Sequence, residues 1–155
     1  MKQIAPKALI IALCLSLGSC SWRHLFVIKN ASEEAIQIRY QLTSLAEAGI
    51  FKDKVAVLDQ KGAPKVASVL FDATTMTVSI LLPPNAQAII GDGRNTKYQW
   101  YKKQLAPDEA MPFVPFFNLD YLEITNSKGS IAVRKHMIET LITKNSAIKT
   151  VIKVK

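Results

Sequence analysis

The sequence is poor in the residues that perform chemistry. In 155 residues there are two cysteines, Cys14 and Cys20, and two histidines, His24 and His136, far apart in the chain. There is no HExxH and no cysteine pair at zinc-ligand spacing, so no metal site is expected. Asp92 and Asp108 fall in predicted loops without the regular acidic spacing of a calcium loop, and read as turn residues. There is no GxSxG. A hydrolytic site would have to use His24 or His136 with a remote acid and hydroxyl. Gly91-Asp92-Gly93 lacks the lysine and helix context of a phosphate-binding loop. No cofactor and no enzymatic activity are therefore expected. Internal repeats and low-complexity stretches are lacking too.

What is present begins at the N-terminus. Lys2 and Lys7 precede an apolar run from Ala8 to Leu17, broken only by Ser16. Gly18 and Ser19 follow, then Cys20. A charged start, about ten apolar residues and a small-residue exit are the parts of a secretory signal. A spanning helix needs about twice that apolar length. An ordinary cleavage site wants a small residue three positions before the cut, and Leu17 fits that poorly. Leu17-Gly18-Ser19-Cys20 instead resembles the lipobox of bacterial lipoproteins. Gly18 is a less usual occupant of its position.

That resemblance implies a diacylglycerol on the Cys20 thiol, cleavage just before it, and acylation of the new amino group. Two or three acyl chains hold a protein on a membrane where one does so only marginally. Ser21, where an aspartate would commonly retain a lipoprotein at the inner membrane, implies the outer membrane of a diderm. In a monoderm the same signal implies the outer face of the cell membrane. The expected organisation is a signal peptide over 1–19, an anchor and short linker over 20–23, and one domain over 24–155. Trp22 in that linker suits either the headgroup level or packing on the domain.

Removing residues 1–19 takes away two lysines and no acid, so 18 basic and 12 acidic residues remain, a net +6. Strong basicity raises nucleic acid as a partner, but export argues against it. An exported basic domain meets the anionic headgroups of the membrane, an anionic envelope polymer or an envelope protein. Ordinary solubilising lysines are the plainer explanation.

Hydrophobic periodicity along the rest is mostly that of strands. Ile36, Ile38, Tyr40 and Leu42 alternate with Gln37, Arg39 and Gln41. With the β-rich run His24–Asn30 before it, this segment reads as a hairpin. Further strands are expected over 54–58, 66–71, 74–82, 86–90, 121–125, 130–133 and 147–155, the last a closing edge strand whose lysines discourage pairing with another chain. Pro83-Pro84-Asn85, Gly91-Asp92-Gly93 and Asn126–Gly129 act as turns or bulges. Val133, Met137, Ile138, Leu141 and Ile142 recur at three- and four-residue spacing, predicting one short amphipathic helix over 134–144, closed by Asn145. Eight or nine strands and one helix predict a mainly β protein, an antiparallel β-sandwich, immunoglobulin-like in one version. A single-sheet α+β fold is the alternative.

Two stretches qualify as binding surfaces. In the first, Arg94, Lys97, Tyr98, Trp100 and Tyr101 interleave bases with aromatics, as surfaces for sugars or anionic headgroups do. The plainer reading is a strand with Tyr98 and Trp100 in the core. The second carries Phe113, Phe116 and Phe117 among prolines, either plugging the core or forming an apolar contact patch. The leading expectation is a membrane-anchored, non-enzymatic envelope lipoprotein. The alternative is a small anchored hydrolase acting on envelope material.

Overall fold

A computed structural model describes residues 23–47, 49–94, 116–146 and 149–155. The strands are β1 (Arg23–Asn30), β2 (Ile36–Leu42), β3 (Phe51–Asp59), β4 (Ser68–Asp72), β5 (Thr77–Leu82), β6 (Ala86–Arg94), β7 (Leu119–Asn126), β8 (Gly129–Arg134), β9 (Lys144–Asn145) and β10 (Lys149–Val154). They form two sheets. The first, sheet A, runs β3-β6-β1-β10-β9; the second, sheet B, runs β4-β5-β2-β7-β8. Inward side chains of both join one core that includes Phe26, Ile28, Ile38, Tyr40, Ile80, Ile90 and Leu122. The architecture is the mainly β sandwich that the alternation predicts.

The predicted alternation of β2 holds residue by residue. Ile36, Ile38, Tyr40 and Leu42 are buried, while Gln37 and Arg39 are exposed. On β10, Thr150 and Ile152 turn inward and Lys153 outward. Burial pushes the Tyr40 hydroxyl well above its ordinary pKa of 10.0, and the negative charge of Asp53 adds to the shift. The hydroxyl donates to the Lys52 carbonyl oxygen.

Four expectations are corrected. β1 and β2 are not a hairpin. β1 pairs with β6 and β10, whereas β2 pairs with β5 and β7, so the chain changes sheets between Asn30 and Ile36. Alternation reports which face of a strand is buried but not which strand lies beside it. Second, β10 is no edge strand along its length. It lies parallel to β1 from Leu25↔Lys149 to Asn30↔Val154, the one parallel ladder between the described strands, and two-residue β9 lies outside it.

Third, Asp92 is not in a loop: of the two readings of Gly91-Asp92-Gly93, turn or bulge, the bulge holds. β6 runs through the segment, and Phe26 opposes Gly91 while Val27 opposes Ile89. Asp92 is therefore a strand residue and not a loop residue. Fourth, the helix is a 3₁₀ helix over Lys135–Leu141, and Asn145 belongs to β9. With three residues per turn, Ile138 and Leu141 stay on one face and Met137 swings out to about half exposure.

Two buried asparagines tie the sheets at opposite ends. At the C-terminal end of β1, the Asn30 amide donates to the carbonyl oxygens of Glu34, Leu82 and Pro83, and its Oδ1 accepts from the Ser32 backbone N–H and hydroxyl. Near the other end, Asn118 Nδ2 donates to Ser44 O at 2.8 Å and Phe51 O at 2.9 Å. Its Oδ1 accepts from Phe51 N at 2.8 Å. Asn118 directly precedes β7 of sheet B and Phe51 opens β3 of sheet A, so one side chain joins the sheets where no ladder can. Gly49 lets it in. A Cβ there would stand 2.5 Å from Asn118 Nδ2.

Candidate functional site

β1 starts at Arg23, so Ser21 and Trp22 alone separate Cys20 from the first strand. Cys20 itself lies outside the described residues. Arg23 and Arg94 are register partners on β1 and β6. Arg94, the first residue of the aromatic-basic stretch, thus stands at the Arg23 end of β1. Lys97, Tyr98, Trp100, Tyr101 and Phe113 lie outside the described residues. Arg23 also pairs with Asp92 at 3.2 Å, which gives that acid a structural partner.

The phenylalanine stretch divides. Phe116 is half-buried, and its carbonyl oxygen accepts from Ile50 N at 3.1 Å. Phe117 plugs the core. Its ring meets Phe51 edge-on at 4.8 Å and Phe26 at 6.2 Å, while Phe26 and Phe51 stand 5.0 Å apart. The Lys135 ammonium lies over the Phe117 ring, 5.9 Å from its centre. Among the described residues of this stretch, Phe116 is the one that reaches the surface.

His24 faces inward on β1 and is fully buried. Its Nε2 lies 2.8 Å from the Thr150 hydroxyl of the parallel strand β10. The ring also stacks at a tilt on Phe26, centroids 5.3 Å apart. His136 is exposed on the 3₁₀ helix. The structure does not bring the two histidines into one cleft. A small apolar cavity lies behind His24's strand, lined by Phe26, Phe51, Ile90, Ile138, Ile142 and Thr150. Among the described residues, no cluster of three or more histidine, cysteine or acidic side chains could hold a metal ion.

Sequence reasoning missed how the charge is divided between the two outer faces. On sheet B the charges are matched. Arg39 stands in register with Glu123, and Arg134 pairs with Asp120 at 2.9 Å. Two exposed leucines, Leu70 on β4 and Leu81 on β5, lie toward the other edge of this sheet from the Arg134–Asp120 pair. On sheet A, Lys29, Lys149, Lys153 and Lys144 gather on the outer side of β1, β10 and β9, with Lys54 on β3 and Arg23 at the corner. Asp92 is the acid among them, and Arg23 already neutralises it.

No protein-family model, no curated protein and no solved structure matches the chain. The fold and the surfaces described above are therefore what bears on function. Among the described residues no helix is long and apolar enough to cross a membrane, which says nothing of membrane proteins that cross with strands.

Proposed function

We propose that this chain is a bacterial envelope lipoprotein, a small β-sandwich held on a membrane by lipid on Cys20 that acts by binding and not by catalysis. The observation that carries the reading is Leu17-Gly18-Ser19-Cys20 at the end of a ten-residue apolar run. The short link to β1 supports it. Three residues span about 10 Å at most, so an anchored domain stays against the bilayer and does not roam on a tether. With Ser21 after the cysteine, the outer membrane facing the periplasm is the seat in a diderm.

The partner in this reading is an envelope protein or an anionic envelope polymer. Exposed Leu70 and Leu81 offer an apolar contact of the kind a protein partner uses. Purifying the acylated protein from gently solubilised membranes tests the binding role. A defined stoichiometric protein or polymer should co-purify and be lost when Leu70 and Leu81 are both changed to serine. Recovery of lipid alone, with or without those leucines, contradicts a binding role.

A further inference from the structure

The cations of sheet A are not spread as solubilising lysines would be. Lys29 and Lys153 are register partners on adjacent strands, so two like charges stand side by side on one face. Such neighbours repel, and sheets ordinarily place opposite charges there, as sheet B does with Arg39 and Glu123. Lys144 registers with Val151, and Lys149 with Leu25, extending the row across three strands. Among the described residues six cations, with Lys54 and Arg23, thus share a face with one acid, Asp92. The repulsion built into this face is relieved by an anionic counterpart outside the chain.

The form of the face favours one counterpart. Among the described residues it is the surface of a sheet, spread across β3, β1, β10 and β9, and not a groove that would grip a single polymer strand. Between the lysines Ile89, Val27 and Val151 stand in register across β6, β1 and β10, Val27 only 2% exposed and its two partners half-buried, and half-buried Leu25 continues this apolar stripe along β1. Lys149 reaches across β1 to the Gln87 side-chain oxygen at 3.2 Å, so its methylene stem crosses that stripe. Lysines over apolar ground, with Lys153 and Lys144 exposed and Lys29 partly so, suit the headgroup zone of a bilayer. A soluble polyanion has no use for the stripe. Arg23 marks the corner of this face and is the third residue after Cys20.

We infer that the outer face of sheet A is a docking surface for an anionic lipid bilayer, on which the domain lies flat. This deepens the anchoring reading and rests on it for its biological setting. The leucine-bearing face of sheet B then points away from the membrane, toward a partner.

The test uses the full chain with Cys20→Ala in every arm, so that acylation plays no part and a failed lipobox does not affect the outcome. Partitioning is measured onto vesicles of phosphatidylglycerol with phosphatidylcholine and onto phosphatidylcholine alone. The ratio removes the contribution of the apolar N-terminal run, common to all arms. Each lysine at an anionic surface changes binding about fivefold, so Lys29→Gln with Lys153→Gln should lower the ratio about 25-fold. Lys61→Gln with Lys128→Gln removes the same charge from exposed turns and should lower it severalfold less. An unchanged melting transition confirms the fold, and removing two repelling neighbours should not weaken it.

Equal loss in the two doubles would mean attraction by net charge alone and would overturn the inference. So would no loss in either. Tighter, face-dependent binding to soluble dextran sulfate than to the vesicles would assign the face to a polymer and overturn the bilayer.

Discussion

Asn118→Ala destabilises the sandwich by about 4 kcal/mol, lowering the melting temperature by roughly 10 °C for a domain of this size. The side chain itself makes three hydrogen bonds, to Phe51 N, Phe51 O and Ser44 O. Each is worth about 1 kcal/mol net, but the backbone groups left behind are buried, and an orphaned buried group costs about 1–3 kcal/mol. Ser44 O and Phe51 O and N have no water to turn to if the site closes over. Asn118→Asp discriminates the cause. It keeps the volume and the acceptor but replaces both donated bonds with a carboxylate facing two carbonyl oxygens. It should be at least as damaging as alanine at neutral pH and partly rescued on acidification, when a protonated carboxyl can donate one bond again. Chemical denaturation at two pH values reads both effects. A loss under 1 kcal/mol for alanine would show that the sheets do not depend on this link.

Phe51→Ala is expected to cost about 3–5 kcal/mol, the range for truncating a buried aromatic. Phe51 is 2% exposed and is the middle ring of three, touching Phe26 on one side and Phe117 on the other. Its removal opens a void continuous with the small apolar cavity that Phe26 and Phe51 already line. On one side the neighbour, Phe26, is fixed in β1 by ladders to β6 and β10, so the site cannot collapse fully to fill it. Phe51→Leu keeps most of the volume and should cost less than half as much. Equal losses for leucine and alanine would mean that ring geometry, and not filled volume, holds this end together. Equilibrium unfolding of the two variants measures the difference.

These two residues also show what the sequence makes legible. Phe51 belongs to no predicted strand, because the expected strand starts at Lys54. The bulge between Phe51 and Ala56 breaks the period that a pattern search follows. Asn118 carries no local signal whatever. Its partners lie 67 and 74 residues away and are backbone atoms, which leave no trace in composition. By contrast, β2, β5 and β10 are readable because each buries one face along most of its length, and a period of two records that directly.

The hairpin expected of β1 and β2 fails for a related reason. Consecutive strands do usually pair, yet β1 takes the last strand of the chain and a strand 60 residues on as its neighbours. The same limit hid the charged face. Lys29, Lys54, Lys144, Lys149 and Lys153 are scattered in sequence, and they form a surface only once four strands are known to share one sheet. Of the surface residues expected from sequence, Phe116 reaches the surface and Arg94 closes β6, while the rest lie outside the described residues.

The anchor itself is the centre of the account, and labelled palmitate tests it most directly. Cells making the natural chain should incorporate label into a mature protein that begins at Cys20, and cells making Cys20→Ala should yield an unlabelled protein of the same fold. Equal labelling of the two, or none in either, would contradict a lipoprotein anchored through Cys20.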